Sequence, residues 1–257
     1  MTYEIIRGDS FETLQRFHRE GRKFDAILTD PPYCSRPGGS YGSGARKYVN
    51  LARVGSRLED CNFSEAPNQF AAYEFARHWM QASALVLRAP GYFFCFTDWV
   101  MIPAFTMAMQ SSGIVYRGLI PWNKNNARCH PGYFTQVCEF VIWGTVNGVS
   151  DKFVKGYLEG SAPANESRIH PTQKNETVCA ELLRILPDDA TDVLDPFCGS
   201  ATTGAACARF GINFVGVENV PTIADVAENR LRNTTWAQRL TTKEEADKWT
   251  EQTPAFW

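Results

Sequence analysis

The chain has 257 residues, of which 44% are hydrophobic and 21% are charged, and its formal net charge is −2. This balance excludes a disordered chain, and the length suits one globular α/β domain with a substantial core. No apolar stretch is long enough to cross a bilayer, and Met1–Glu4 runs directly into a strand-like segment, so we predict a cytoplasmic protein with no signal peptide and no membrane partner.

Strand-like and helical segments alternate along the chain. Strands are predicted at 3–7, 26–29, 91–97, 115–120, 137–143, 192–194 and 213–217. Helices are predicted at 11–19, 68–87, 99–110, 176–186, in a stretch that ends near 210, and at 222–231, and Asp9 or Ser10 caps the first of them. This alternation predicts an α/β fold with a doubly wound, mostly parallel sheet of seven strands.

A tetrapeptide at the end of the second predicted strand is the first functional candidate. Asp30-Pro31-Pro32-Tyr33 places an acid, a rigid turn and an aromatic ring together. Ligands of open α/β sheets bind at the carboxyl ends of strands. Asp and Pro are also ordinary turn residues, so the tetrapeptide alone leaves a simple strand-ending turn open.

Positive charge is concentrated next to this tetrapeptide. Residues 33–58 and 99–138 contain no acid, which indicates a surface for nucleic-acid phosphates or, alternatively, solvated loops. The Gly- and Ser-rich composition also predicts a mobile basic loop over 34–66. Candidate DNA contacts are Arg36, Arg46, Lys47, Arg53, Arg57, Lys124 and Arg128, although the last two equally suit solvent-exposed turns.

The eight cysteines do not predict a metal site. None of them forms a C-x-x-C pair, and Cys95 lies in an apolar run, where a reduced cysteine behaves as a small hydrophobic residue. Cys129, His130 and Cys138 come nearest to a ligand cluster, but their spacing fits no zinc pattern. We therefore expect no metal.

A second candidate site follows the sixth predicted strand. The run Asp195-Pro-Phe-Cys-Gly-Ser-Ala-Thr-Thr-Gly204 opens a helix, and its glycines let the backbone approach a ligand. It departs from G-x-G-x-x-G and lacks a Lys-Ser/Thr pair, which argues against dinucleotides and nucleoside triphosphates. Glu218 ends the next strand, where an acid can accept hydrogen bonds from both ribose hydroxyls. These residues predict a site for an adenosine-type cofactor without phosphates.

Both runs resemble motifs of the S-adenosylmethionine-dependent amino-methyltransferases of DNA. Residues 30–33 are similar to the D-P-P-Y motif of their catalytic site, and residues 195–204 to the D-P-F-x-G-x-x-T-T-G motif of their cofactor site. His170-Pro171-Thr172-Gln173-Lys174 is similar to a third hallmark, and 122–124 followed by Glu139 resembles a weaker motif that lines the target-base pocket. The resemblance covers roughly residues 3–33, 91–144 and 170–231.

The resemblance implies roles for individual residues. The catalytic set is Asp30, Pro31, Pro32 and Tyr33, and Trp122 joins the DNA contacts. His170 and Lys174 would otherwise be helix-entry and surface residues. The contacts expected for S-adenosylmethionine are Asp9 (to the adenine amino group), Ser10, Asp30, His170, Thr172, Gln173, Lys174, Asp195, Pro196, Phe197, Cys198, Gly199, Ser200, Thr202, Thr203, Glu218 and Asn219.

The order of the motifs resembles the β class, in which the catalytic motif precedes the cofactor motif. The resemblance implies a circularly permuted, Rossmann-like methyltransferase sheet, with 1–257 as a single domain. Related enzymes that act on ribosomal RNA or protein glutamine usually place the cofactor motif first, so this order favours DNA. The interval 145–169 is a short target-recognition insert, so we expect a short or relaxed target site whose contacts the basic loop shares.

The implied reaction is methyl transfer to an exocyclic amino group of a base flipped out of the duplex. The Asp30 carboxylate and the Pro31 carbonyl would accept the amino hydrogens, while Tyr33 stacks on the base. Glu218-Asn219-Val220 also occurs in C5-cytosine methyltransferases, but those enzymes need a Pro-Cys pair, and no Pro directly precedes a Cys here.

Several alternatives stay open. Asp at position 30 favours adenine N6, with cytosine N4 as the alternative. An RNA or protein amino-methyltransferase and a non-catalytic nucleic-acid-binding module are the rivals. A homodimer partner and a cognate restriction enzyme, in a bacterial or phage source, are further candidates.

Overall fold

Eight strands and six helices follow one another in the part of the chain that the computed structural model describes, which is residues 2–32, 69–124, 132, 134–160 and 174–236. The strands are β1 (Tyr3–Arg7), β2 (Phe24–Thr29), β3 (Leu87–Thr97), β4 (Val115–Asn123), β5 (Cys138–Val146), β6 (Leu158–Glu159), β7 (Asp192–Asp195) and β8 (Asn213–Glu218). The helices are α1 (Ser10–Arg19), α2 (Gln69–Val86), α3 (Ile102–Ser111), α4 (Glu176–Leu183), α5 (Thr202–Phe210) and α6 (Pro221–Arg232).

All the strands form one sheet in the order β1-β8-β7-β2-β3-β5-β4-β6. Neighbours are parallel except that β5 is antiparallel to both β3 and β4. The prediction of a mostly parallel sheet is therefore confirmed. Strand β6 is additional to the seven predicted strands, and its two residues are too few to show a period in the sequence.

Helices cover both faces of the sheet. Alternate residues of β2 point to opposite sides, so that Ile27 joins one buried cluster and Leu28 the other. The first cluster receives side chains of α1, α2 and α3, and the second receives side chains of α4, α5 and α6. This is the doubly wound arrangement, and it explains why the central strands are almost continuously apolar.

Helix α5 packs closely on β8 because Gly204 has no side chain. A Cβ at this position would lie 2.7 Å from Cδ1 of Phe214 and 2.9 Å from Cδ2 of Leu231, both of which are buried. We expect Gly204→Ala to lower the free energy of unfolding by about 1–3 kcal/mol, because the added methyl group must push the helix away from the strand. Urea unfolding measures this. Gly156→Ala is the control, since a Cβ there meets no atom within 4 Å, and equal stability of the two variants would contradict the prediction.

No helix in the described ranges is both long enough and apolar enough to cross a membrane.

Candidate active site

Four neighbouring parallel strands bring their carboxyl ends to one edge of the sheet. Arg7 of β1 pairs with Glu218 of β8, and Asp195 of β7 pairs with Gly216 of β8. Strand β2, which runs beside β7, leads directly into Asp30. The two candidate sites predicted from distant parts of the sequence therefore lie side by side.

Asp195 fixes the turn between β7 and α5. Its Oδ1 accepts hydrogen bonds from Oγ1 of Thr29 (2.7 Å) and from the backbone N–H of Phe197 (3.1 Å), and its Oδ2 accepts one from Oγ1 of Thr203 (2.8 Å). Burial raises the pKa of Asp195 to about 7, against the lowering effect of these hydrogen bonds. Since protein donors occupy both oxygens, we assign this carboxyl a structural role: it fixes the conformation of the turn and joins the turn to β2.

Gly199 and Glu218 form the open side of the same turn. Gly199 has a left-handed φ of 51°, and a Cβ there would meet no atom within 4 Å. Its N–H donates to Oε2 of Glu218 (3.1 Å), and the N–H of Val220 donates to Oε1 (2.9 Å). Burial raises the pKa of Glu218. Each carboxylate oxygen keeps a lone pair for a further donor, which fits the paired hydroxyls of a ribose.

The start of α1 closes this site from the side of β1. The N–H of Gly8 donates to the Glu218 carbonyl (3.1 Å), and the Ser10 hydroxyl donates to the Pro196 carbonyl. Asp9 caps α1, as predicted, by accepting a hydrogen bond from the N–H of Glu12 (2.9 Å). Residues from both ends of the chain thus build a single pocket wall.

The remaining predicted cofactor residues of the turn differ in their exposure. Cys198, Ser200, Thr202 and Thr203 are buried, so their side chains shape the turn. Arg230 of α6 donates to the Ser200 carbonyl (3.2 Å) and to Oγ1 of Thr202 (3.0 Å). Asn219, by contrast, is exposed.

Phe197 points toward α2 and packs against its aromatic residues. Its ring centroid lies 5.2 Å from that of Trp79 in an edge-to-face arrangement and 6.2 Å from that of Phe75. This contact anchors the turn to the helix layer, and the sequence alone did not predict it.

Asp30 is held by one lysine at the end of β2. Oδ2 lies 3.0 Å from Nζ of Lys174, whereas the buried Oδ1 accepts no hydrogen bond from any described residue. Burial raises the pKa of Asp30, while Lys174 acts to lower it. A buried oxygen without a donor is costly, so Oδ1 is the atom that a bound N–H group would satisfy.

A chain of alternating charges extends from Asp30 along the sheet. Nζ of Lys174 also lies 3.0 Å from Oε2 of Glu139, and Oε1 of Glu139 lies 2.6 Å from Nζ of Lys124. Burial acts to raise the pKa of Glu139, but the two lysines more than offset it, so this pKa lies below its ordinary value. Lys124 therefore belongs to an ion pair beside the site, in addition to being a predicted DNA contact.

Trp122 does not present the surface that its predicted DNA contact requires. Its side chain is 1% exposed, its indole N–H donates to the Gly160 carbonyl (2.8 Å), and its ring packs edge-to-face on Phe96 at 6.0 Å. The structure gives it a packing role beneath the site, because its side chain joins the buried cluster on one face of the sheet together with Phe96 and Leu158.

Other predicted residues lie outside the described part of the chain. They are Tyr33, Arg36, Arg46, Lys47, Arg53, Arg57, Arg128, His170, Pro171, Thr172 and Gln173, together with the loop 34–66. Two site residues were not predicted as such: Thr29 and Arg230. Glu139 was predicted only as part of the weaker motif that lines the target-base pocket, because it follows the Trp-Asn-Lys run in the next strand.

Within the described ranges, no group of three or more His, Cys, Asp or Glu residues is placed to hold a metal ion. The cysteines described there are free, and burial raises the pKa of Cys95, Cys179, Cys198 and Cys207 above the ordinary range. A surface cleft between α1 and α2, lined by Phe11, His18 and His78 among others, contains none of the candidate residues.

Comparison with known proteins agrees with this geometry. A family model described as DNA methylase matches residues 154–229. The type II methyltransferase M2.LlaDCHI of Lactococcus lactis subsp. cremoris is 27% identical over an alignment of 252 residues, and the match covers 88% of this chain and 88% of that one. The crystal structure of an M1.HpyAVI–SAM complex is 24% identical, with a TM-score of 0.65 over 90% of this chain and 99% of that one. PvuII DNA methyltransferase, named as cytosine-N4-specific, is 16% identical, with a TM-score of 0.65 over 98% of this chain and 92% of that one.

The fold is therefore the α/β methyltransferase fold, with its candidate site at the carboxyl edge of the sheet. More narrowly, the chain is similar to DNA methyltransferases, because the matched family model is described as DNA methylase and the curated relative is named as a type II methyltransferase.

Proposed function

We propose that this protein transfers a methyl group from S-adenosylmethionine to N6 of adenine in DNA. The observation that carries the proposal is the free, buried Oδ1 of Asp30 beside the turn of Gly199 and Glu218. Asp30, which would accept an amino hydrogen, follows β2. The turn that would bind a nucleoside follows β7 and β8, and β7 lies between β2 and β8 in the sheet. The relatives are named as methyltransferases, which agrees with this pairing of sites.

The cofactor fits the wall built by β1, β7 and β8. Glu218 would accept the ribose hydroxyls, and the open space at Gly199 leaves room for the ligand next to the backbone. Asp9 stays the predicted partner of the adenine amino group, through the oxygen that does not cap α1. When bound, S-adenosylmethionine supplies a methyl group on a sulfonium, which is a reactive electrophile.

Asp30 would orient and polarise the target amino group. Its Oδ1 accepts one N–H, and this hydrogen bond pulls the nitrogen out of conjugation with the ring and aligns its lone pair. The nitrogen would then gain the methyl group as the sulfur–carbon bond breaks, and it would release one proton to solvent. Pro31 would accept the second N–H through its carbonyl, and Tyr33 would stack on the flipped base.

Adenine is proposed over cytosine because an aspartate occupies position 30. The fold does not argue against cytosine, since the solved structure of an enzyme named as cytosine-N4-specific has a TM-score of 0.65 to this chain. Cytosine N4 in DNA is therefore the second candidate.

The circularly permuted β class is also proposed. The first strand, β1, pairs with the last strand, β8, so that the pocket wall needs both ends of the chain. The catalytic Asp30 precedes the cofactor turn at 195–204 in the chain, although their strands are adjacent in the sheet. This order supports DNA as the substrate. A single domain over 1–257, a DNA-contacting loop at 34–66 and a short recognition insert at 145–169 are further parts of the proposal. A homodimer and a cognate restriction enzyme are further proposed partners.

Mass spectrometry of methylated nucleosides tests the function. Purified protein is incubated with S-adenosylmethionine and with unmethylated DNA, RNA or a protein extract in separate reactions. We expect N6-methyladenine in the DNA reaction alone. If N4-methylcytosine forms instead, the target is cytosine N4 in DNA, which is the second candidate. Methylated product only on RNA or protein would overturn the proposal that the substrate is DNA.

The cofactor site is tested separately through Glu218. We expect Glu218→Ala to weaken S-adenosylmethionine binding by about 10- to 100-fold, because hydrogen bonds to a charged group are lost. Calorimetry on the protein without DNA measures this. Glu181→Ala, which removes an exposed acid of α4 that pairs with Arg184, is the matched control, and an unchanged affinity in Glu218→Ala would exclude the ribose role.

A further inference from the structure

Only one oxygen of Asp30, Oδ2, has an ion-pair partner among the described residues, and that partner is Lys174. Lys174 contacts Oδ2 of Asp30 and Oε2 of Glu139 at 3.0 Å each, so its ammonium group lies between two carboxylates. The ring of Phe96 lies under the same ammonium group, 5.3 Å from Nζ to the centroid. Lys174 is only 12% exposed, which limits its freedom further.

Glu139 is the fixed member of this arrangement. It lies on β5 and stands opposite Trp122 of β4 in the register, and the next residue, Phe140, is paired with both β3 and β4. Lys174, by contrast, precedes α4 and has a long, flexible side chain with three donors. A lysine of this kind takes the position that the surrounding acceptors define.

Lys124 makes the burial of Glu139 tolerable. It pairs with Oε1 of Glu139 at 2.6 Å, so that both oxygens of Glu139 are engaged by lysines. The two lysines and the two acids have balanced charges, and such pairing offsets the cost of removing them from water. Glu139 therefore stays ionised, and its Oε2 attracts the ammonium group of Lys174.

We propose that Glu139 is a positioning residue that holds Lys174 on Oδ2 of Asp30 and thereby keeps Oδ1 free for the target amino group. Loss of Glu139 removes one of the two carboxylates that place the Lys174 ammonium group, so its position on Oδ2 of Asp30 is no longer fixed from that side. Any shift of the ammonium group toward Oδ1 then occupies the acceptor that the reaction needs. This inference rests on the proposed methyl transfer for its kinetic consequence, but the pairing of Lys174 with Asp30 is measurable without any substrate.

The first test is kinetic. We expect Glu139→Gln to lower kcat by about 10- to 100-fold through misplacement of the acceptor, while the affinity for S-adenosylmethionine in calorimetry changes less than about twofold. Glu139→Asp keeps the charge but withdraws it by one methylene, so it should lower kcat in the same way. Glu181→Gln is the matched control and should leave kcat unchanged. Full activity of Glu139→Asp would mean that the reaction needs only a negative charge near Lys174, and this result would overturn the proposal that Glu139 positions Lys174.

The second test needs no DNA. The carboxyl carbon of Asp30 is followed by ¹³C NMR during a pH titration, and its signal is assigned by its loss in Asp30→Asn. If Glu139 holds Lys174 in place, Glu139→Gln releases the lysine and raises the pKa of Asp30 further. If Glu139 acts only as a nearby negative charge, its removal lowers this pKa, so a fall or no change overturns the proposal. In the described part of the chain, the charged and titratable groups around Asp30 are Lys174, Glu139, Lys124, Asp195, Cys95 and Cys179.

A double-mutant cycle separates action through Lys174 from independent action. In a Lys174→Gln background, we expect Glu139→Gln to lower kcat by less than about twofold, because there is no ammonium group left to position. A full, additive loss would overturn the proposal. If the wild-type protein transfers no methyl group to DNA, the proposed function fails, while the NMR titration still decides the role of Glu139.

Discussion

Replacement of Asp30 by alanine is expected to lower the rate of methyl transfer by about 10²- to 10³-fold, in line with the loss of one preorganised electrostatic contact at a reacting group. The physical reason is that Oδ1, at the end of β2, is a buried acceptor to which none of the described residues donates a hydrogen bond. The cofactor wall is built mainly by Asp195, Gly199 and Glu218, so S-adenosylmethionine binding should persist. Radiolabel transfer to DNA and calorimetry measure the two effects.

A matched variant removes an acid elsewhere. Asp225 on α6 forms an exposed ion pair with Arg7, 2.8 Å between Oδ1 and the guanidinium. Asp225→Ala should therefore retain the full rate. A rate for Asp30→Ala within tenfold of the wild type would show that another group accepts the amino hydrogen, and it would remove the basis of the mechanism.

Much of the fold followed from local patterns in the sequence. Runs such as 26–29 and 213–217 are apolar on both faces, and in the structure they are central strands covered by helices. Helix α1 began where the capping residue Asp9 indicated. The pairing of β1 with β8, however, joins the two ends of the chain, and no local pattern reports a contact across that separation.

The site was predictable as two motifs but not as one assembly. The hydrogen bond from Thr29 to Asp195 connects the residue before the catalytic motif to the first residue of the cofactor motif. Neither residue carries a sequence signal for this contact, because it depends on β2 and β7 being neighbours in space. The burial of Trp122 was not predictable for a related reason, since a tryptophan at the end of a strand suits both a surface contact and a buried support.

The buried carboxyl of Asp195 should make the stability of the protein depend on pH. Its pKa of about 7 in the folded state lies above that of an unfolded aspartate, about 3.9, so folding favours the protonated form. Below pH 4 the carboxyl is protonated in both states and costs nothing. As pH rises toward 7 the unfolded state ionises first, and the folded state loses up to about 4 kcal/mol of stability relative to it.

Asp195→Asn should abolish this loss while keeping the turn intact. The asparagine Oδ1 can accept the same hydrogen bonds from Thr29 and Phe197, and its NH₂ group can donate to Oγ1 of Thr203, whose hydroxyl then donates to the Leu28 carbonyl at 3.3 Å. We therefore expect the variant to gain stability over the wild type as pH rises from 4 to 8 in urea unfolding without cofactor. Acids other than Asp195 contribute equally to both proteins, so their effects cancel in the difference between the two free energies of unfolding. If this difference did not change with pH, Asp195 would be ionised at little cost, and the hydrogen bonds from its two threonines would fully replace those from water.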